Sequence, residues 1–458
     1  MQTDTIAAIA TAMTNAGIGV IRISGEDAFA VIDRIYHSKN HNKKLSQCKS
    51  HTIHYGYIYD GEEMIDEVMV LLMRSPNSYT REDTVEIDCH GGVLVMKKIL
   101  DTVLKNGARP AEPGEFTKRA FLNGRIDLAQ AESVMDVISS RNEFARKSSI
   151  QQLNGTLTYK IKDLREKIIY ETAFIESALD DPEHISLEGY GERILDKVKS
   201  MNQELDRMIA SYDNGSILRE GIDTLIIGKP NAGKSTLMNA LLKKERAIVT
   251  DIAGTTRDVL EESIQLNGIS LNIKDTAGIR DTEDIIEKIG VDKAKSYIED
   301  ADLILYVVDA SIPLDKNDAS IMELIAGKKC IVLLNKSDLE TQVTEQEITD
   351  RLDAVILSAS AREGDGIEEL EAAITKLFLS GEILQNEEVY ITNIRHKDAL
   401  IQARESLKLV QESIGSGMPE DFYSIDLMNA YVELGNIIGE SVGENLVNEI
   451  FQKFCMGK

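Results

Sequence analysis

Apolar and polar positions change rhythm three times along this chain. Up to about residue 120 the pieces are short. Residues 19–24 (GVIRIS) and 67–73 (EVMVLLM) are rich in apolar and β-branched residues and read as strands. Residues 84–88 (TVEID) alternate apolar and polar, as a half-buried strand does. Residues 93–104 keep a helical spacing that Asn106 and Gly107 end, and the two prolines within 109–114 predict an irregular turn. From about 117 to 215 Gly and Pro are scarce and apolar residues recur at helical spacing, as at Leu153, Leu157 and Ile161, until Asp180, Asp181 and Pro182 break the run. From 217 to about 380 nearly continuous apolar runs (223–228, 303–309, 330–335) alternate with helical segments, which predicts a parallel sheet covered on both faces. From about 385 to 450 the spacing is helical once more. Neither helical block looks self-sufficient, so the two are expected to form one domain into which the α/β block is inserted, an arrangement that adjacent domain termini permit. The expected segments are 1–118, 119–216, 217–380 and 381–458.

Composition narrows the class. The chain has 458 residues, enough for about three domains. It is 43% apolar and 28% charged, so it can bury real cores. No apolar run reaches the roughly 20 residues that span a bilayer, and the first twelve residues carry Asp4 and no Lys or Arg, unlike a secretory signal. Four cysteines, Cys48, Cys89, Cys330 and Cys455, are scattered without a CxxC pair, which fits a reducing cytoplasmic setting rather than a disulfide or zinc framework. The net charge of −26 gives no general attraction for phosphate backbones, so any nucleic acid must be met by a local patch or a partner.

Four elements carry recognisable chemistry. Gly228-Lys-Pro-Asn-Ala-Gly-Lys-Ser235 follows a buried strand and precedes a helical segment, the context a phosphate loop requires. Its glycines let backbone N–H groups close around a phosphate, and the helix N-terminus adds positive potential. Lys234 is expected at the β/γ oxygens and the Ser235 hydroxyl on Mg²⁺. Asp275, Thr276, Ala277 and Gly278 follow a strand at 270–274, where the carboxylate suits the magnesium shell and the Gly278 N–H the γ-phosphate. Asn335, Lys336 and Asp338 sit at a strand's C-terminal end, where open α/β sheets bind ligands. The Asp338 carboxylate can accept both N1–H and N2–H of guanine, a donor pair adenine lacks. Ser358, Ala359 and Ser360, after the strand at 355–357, can add a backbone contact to the guanine oxygen. Between the first two elements lie Thr250, Asp251, Ile252, Ala253, Gly254, Thr255 and Thr256, with Thr256 expected on Mg²⁺ and Thr255 facing the phosphates. The GTP site is thus assigned to Asn231, Ala232, Gly233, Lys234, Ser235 and Thr236 with residues 250–256, 275–278, 335, 336, 338 and 358–360. These elements in this order imply a Ras-like G domain over 217–380 and a GTP hydrolase, and they disfavour an ATPase. Ile279 stands where Ras-like enzymes carry the glutamine that positions water, so another polar group must serve.

The chain resembles the MnmE (TrmE) family of tRNA-modifying GTPases over its whole length. The resemblance rests on the phosphate loop, on Asp-Ile-Ala-Gly-Thr-Thr-Arg-Asp258, on the N-terminal Gly-Val-Ile-Arg-Ile-Ser-Gly25, on the run 113–124 (PGEFTKRAFLNG), on 127–132 (DLAQAE) and on the terminal Phe-Cys-Met-Gly-Lys458. It implies a cytoplasmic homodimer, with no membrane association, whose N-terminal α/β domain binds 5,10-methylene-tetrahydrofolate or a related reduced folate. It implies an FAD-binding partner, MnmG, in a heterotetramer or larger complex, and the addition of an aminomethyl or carboxymethylaminomethyl group to C5 of the wobble uridine of certain tRNAs. It further implies GTP hydrolysis with potassium and without an arginine finger. Carried over residue by residue, K⁺ falls to Asn231, Thr250, Ile252 and Thr255, Mg²⁺ to Ser235 and Thr256, water orientation to Glu287, and folate to Arg22, Glu82, Arg125 and Lys458. The family commonly has Lys where this chain has Arg125, which keeps the charge.

Residue chemistry alone favours an ordinary exposed charge for Arg22 and a solvated acid for Glu82. Cys455 is either a structural tail residue or a thiol able to attack a folate-borne one-carbon unit. The basic residues Arg141, Arg146, Lys147, Lys160, Lys162, Arg165 and Lys167 read as a solvated helix face and as the best local candidate for touching tRNA. The alternative function is a ribosome-assembly GTPase of the Era/EngA type. Such a protein should carry basic and aromatic residues for rRNA, and this chain has no Trp, 5% aromatics and a strongly acidic balance.

Overall fold

The computed structural model describes residues 4–39, 43–140, 142–244, 262–266, 269–273, 297–378, 391–440, 450–451, 454 and 457. The chain divides into two compact units, one of Met1–Ile138, Ile150–Asn202 and Gln402–Lys458, the other of Ser139–Ser149 and Gln203–Ile401.

The first unit opens with β1 (Ile6–Ile9), β2 (Ala16–Ser24), α1 (Ala28–Ile35), β3 (Tyr36–His37), β4 (Thr52–Asp60), β5 (Glu63–Met73), β6 (Thr84–Gly91), α2 (Val93–Lys105) and β7 (Arg109–Pro110). The strands form one sheet in the order β3-β4-β5-β6-β2-β1-β7. Its pairs are antiparallel except β1 with β7. One face is covered by α1 and α2, with Val31, Ile32, Met96, Ile99 and Val103 seated on Ile21, Ile23, Val70, Val85 and Ile87. On β4 and β5 the other face leaves Ile53, Tyr55 and Met69 exposed, alternating with buried His54, Val68 and Val70. The segment expected as an irregular turn at 109–114 instead begins with β7, bonded to β1 through Arg109 N–H to Thr5 O and Ala111 N–H to Ala7 O. Pro110 is tolerated because β7 is the outermost strand and needs no N–H there.

Helices follow: α3 (Glu115–Leu122), α4 (Leu128–Ser139), α5 (Glu143–Leu153), α6 (Thr156–Asp180) and α7 (Tyr190–Glu220), of which residues 143–149 and 203–220 belong to the second unit. Helix α6 stops where Pro182 pushes Asp181 off helical geometry (φ −131°, ψ 65°). Phe451 and Phe454, near the C-terminus, pack with Ala120, Ile126, Leu128 and Ala131. They lie so close to Gly114 (φ +68°) that a Cβ there would stand 2.7 Å from the Phe454 Cβ. Phe451 and Phe454 are therefore part of this unit's core.

The second unit contains β8 (Ile222–Ile227), α8 (Lys234–Lys244), β9 (Glu262–Leu266), β10 (Ile269–Ile273), β11 (Leu303–Asp309), α9 (Lys316–Ile325), β12 (Cys330–Asn335), α10 (Glu345–Thr349), β13 (Val355–Ser358) and α11 (Ile367–Phe378). The sheet order is β13-β12-β11-β8-β10-β9, parallel except for the edge strand β9. Strands β11 and β12 are buried at every position. Leu305, Val307, Ile331 and Leu333 meet Leu237, Leu241, Leu370 and Ile374 on one side, while Ile304, Tyr306, Val308 and Val332 meet Met322, Ile325 and Ile348 on the other. Coverage on both faces is what the unbroken apolar runs require.

Candidate functional sites

In the second unit, β8 runs into the phosphate loop, which opens α8 at Lys234. Gly228 lies at φ +151°, and a Cβ there would stand 2.2 Å from the Val307 carbonyl, so only glycine fits. At Gly233 (φ +104°) a Cβ would come within 2.0 Å of the Asn335 amide nitrogen. Asn231 is exposed and in the left-handed region (φ +63°), and Ser235 and Thr236 are exposed in the first turn of α8. Lys234 Nζ donates to the carbonyls of Gly228 (2.6 Å) and Lys229 (2.8 Å), which hold the ammonium over the loop.

Asn335, almost fully buried, ties two loops together. Its Nδ2 donates to Ala232 O (2.7 Å), and its Oδ1 accepts from Ala361 N–H (3.0 Å). Lys336, at φ +65°, reaches Asp309 Oδ2 at 2.5 Å. Burial opposes ionisation of Asp309, but Lys336 and Ser311 outweigh it and hold the carboxyl below its usual range. Ser360 Oγ donates to Asp338 Oδ1 at 2.7 Å. A carboxylate offers about four acceptor positions, so this bond leaves Asp338 able to take both guanine donors. The backbone N–H groups of Ala359, Ser360 and Ala361 donate to Leu334 O, Asp365 O and Asn335 Oδ1. The contact expected from this segment to the guanine oxygen therefore requires one of these donors to be shared. The assignments at 250–256, 275–278 and Glu287 lie outside the described residues.

In the first unit a second cluster forms. Arg22 Nε donates to Glu86 (2.7 Å) and its Nη1 to the carbonyl of Gly457 (3.1 Å). Its guanidinium stands 5.6 Å from the ring centres of both Tyr79 and Phe116, and that of Arg125 stands 4.6 Å from Tyr79. Gly457 (φ +89°) nests against β1, where a Cβ would meet Ile9 O at 2.5 Å. Three of the predicted folate contacts behave as follows. Arg22 and Arg125 flank one aromatic ring, and Arg22 also holds the residue before Lys458. Glu82 accepts from Ser24 Oγ (2.8 Å) and from Arg119 Nη1 (3.2 Å to each oxygen). Lys458 and Cys455 themselves lie outside the described residues.

Sequence reasoning missed Tyr79, Arg119 and two of the acids around Arg119, Asp4 and Glu115. Arg119, only 5% exposed, also donates to Asp4 Oδ1 (2.9 Å) and Glu115 Oε1 (3.0 Å). Burial would raise the Glu115 carboxyl, yet Arg109 and Arg119 keep it below the ordinary carboxylate range. The available signal was the i,i+4 spacing of Glu115 and Arg119 on one helix face, which marks a pair without showing that it is buried.

The family model described as MnmE helical domain matches residues 128–455, and that described as GTP-binding protein TrmE N-terminus matches residues 5–125. A tRNA modification GTPase MnmE of Lachnoclostridium phytofermentans is 58% identical over 458 residues, covering 100% of both chains. Proteins of the same description from Acetivibrio thermocellus and Thermoanaerobacter pseudethanolicus are 50% and 49% identical, each over 99% of both chains.

Proposed function

Because this chain belongs to the MnmE family of tRNA modification GTPases, we propose that its GTP hydrolysis serves the addition of a folate-derived one-carbon unit, as an aminomethyl-type group, to C5 of the wobble uridine of tRNA, with an FAD-binding MnmG partner. The observation that carries the folate half is the Arg22 contact to Gly457 O, which brings Gly457 to a cluster of two arginines and Tyr79. Cations suit the carboxylates of a folate tail, and a fixed carboxylate suits the N–H donors of a pterin. Arg119 and Ser24 hold Glu82 for that task. The reduced folate would supply the one-carbon unit when bound; the chain's own residues bind and orient it.

Deletion of Lys458 alone is expected to weaken binding of a reduced folate by about tenfold, the scale of one lost charge-assisted bond, with GTP turnover little changed. Removing 454–458 is a coarser test, because Phe454 belongs to the core. Equal folate affinity in calorimetry for the deleted and full chains would exclude the tail from the site.

For the nucleotide half, Lys234, Ser235, Asn335 and Asp338 would bind and orient GTP, Ser235 and Thr256 would hold Mg²⁺, which neutralises phosphate charge when bound, and Glu287 would orient water. Asn231, Thr250, Ile252 and Thr255 would hold K⁺, whose charge offsets that developing on the phosphates. The exposed Asn231 amide in the first limb of the loop supports that assignment. Turnover is expected to be much faster in KCl than in NaCl at equal ionic strength, and Asn231→Ala should erase the difference. Equal initial rates of phosphate release in the two salts would refute the potassium site. A homodimer through the first unit is supported by the open sheet face that exposes Ile53, Tyr55 and Met69.

A further inference from the structure

The second residue of the phosphate loop, Lys229, is turned away from the loop's mouth. Its side chain is only 11% exposed, and its ammonium lies 2.6 Å from Asp318 Oδ2 and 3.0 Å from Asp315 Oδ2. Both acids belong to the start of α9. Asp315 is its N-cap and accepts from Asn317 and Asp318 N–H, while Asp318 closes the capping box by accepting from Asp315 N–H. Asp318 is 1% exposed and also accepts from the Tyr306 hydroxyl at 2.9 Å, at the centre of β11. Every oxygen of this buried carboxylate is thus satisfied, and among the described residues Lys229 is the cation paired with it.

The main chain of the same lysine does a second job. The Lys229 carbonyl accepts from Lys234 Nζ (2.8 Å) and from Ala232 N–H (3.3 Å). Its predecessor Gly228 is wedged against Val307 O. The side chain therefore bolts one limb of the loop to α9, and the backbone of that limb holds the lysine that meets the phosphates. Without the bolt, this limb loses its side-chain anchor to α9, and a limb that must be ordered on binding weakens affinity.

We propose that Lys229 and Asp318 are a positioning pair for the phosphate loop, setting nucleotide affinity by fixing the limb that carries the Lys234 acceptors. The proposal rests on the GTPase activity alone and not on the folate or potassium readings.

The competing role is purely structural, and one double variant separates the two. Lys229→Met leaves a buried carboxylate without its cation and should lower thermal stability. Adding Asp318→Asn removes the stranded charge. An asparagine fits there, since its oxygen can accept from Asp315 N–H and its amide can donate to the Tyr306 oxygen, which serves as either partner. In the full chain, K229M/D318N is expected to regain most of the melting temperature lost in K229M. It should still bind a fluorescent GDP analogue at least about tenfold more weakly than the parent, with KM for GTP rising by a similar factor and kcat falling far less. Asp315→Asn keeps a good N-cap and removes one of the two carboxylate charges. It should fold normally and bind GDP a few-fold more weakly. All titrations are run well below the lowest melting temperature of the set. Parent-like affinity in K229M/D318N and in Asp315→Asn overturns the proposal, whatever happens to stability.

Discussion

Asp338→Asn is expected to lower GTP affinity by roughly 10³-fold or more and to raise affinity for xanthosine triphosphate, because the side chain proposed to read the base would change from acceptor to half donor. Guanine presents two adjacent N–H donors to this position. An asparagine can take one and must turn its own N–H₂ toward the other, leaving buried donors face to face. Xanthine carries an oxygen where guanine carries the amino group, and the amide then matches. The Ser360 hydroxyl that now donates to Asp338 Oδ1 at 2.7 Å can rotate to accept from an amide, so the loop should survive the change. Competition titrations with both triphosphates measure the effect. GTP binding as tight as in the parent would mean that the base is read elsewhere.

Glu287→Ala is expected to lose about 10²–10⁴-fold in kcat with GTP affinity nearly unchanged, the signature of a group needed in the transition state and not in the ground state. The residue lies nine positions beyond Gly278 (287 − 278). Ile279, which follows the Asp-Thr-Ala-Gly element, offers no polar atom to the attacking water. A carboxylate can accept a hydrogen bond from that water, directly or through a second one. Glu283 and Asp284 compete for the role, and Glu283→Ala and Asp284→Ala should be mild. Single-turnover rates in KCl decide the matter. A Glu287→Ala enzyme with near-parental turnover would show that water is oriented by another group.

The α/β unit was legible because its determinants are local. Uninterrupted apolar runs become β11 and β12, and the Gly228 and Gly233 conformations follow from a spacing that only a close backbone turn explains. The first unit was less legible. Periodicity gives β2, β5, β6 and α2 but not β1, α1, β3 or β4, and β7 is missed because two residues containing a proline carry no strand signal and depend on β1 for partners. The Arg119 cluster joins residues 4, 82, 115 and 119, a set that only tertiary packing assembles. The helical reading of the C-terminal segment stops at about 450, and only resemblance puts its last residue, Lys458, at the folate site. The segment's place in a core with Ala120 and Leu128, and its carbonyl contact to Arg22, come from contacts more than 300 positions apart. Resemblance supplied Arg22, Glu82 and Arg125; geometry supplied Tyr79 and Arg119 beside them.

The central claim is that this GTPase serves modification of the wobble uridine. Its most direct test is nucleoside analysis of total tRNA from cells lacking the chain, with and without a restored copy. The account predicts loss of the aminomethyl-type group from C5 of the wobble uridine, its return with the intact gene, and no return with Asp338→Asn. Wobble uridines identical in the presence and absence of the chain would contradict it.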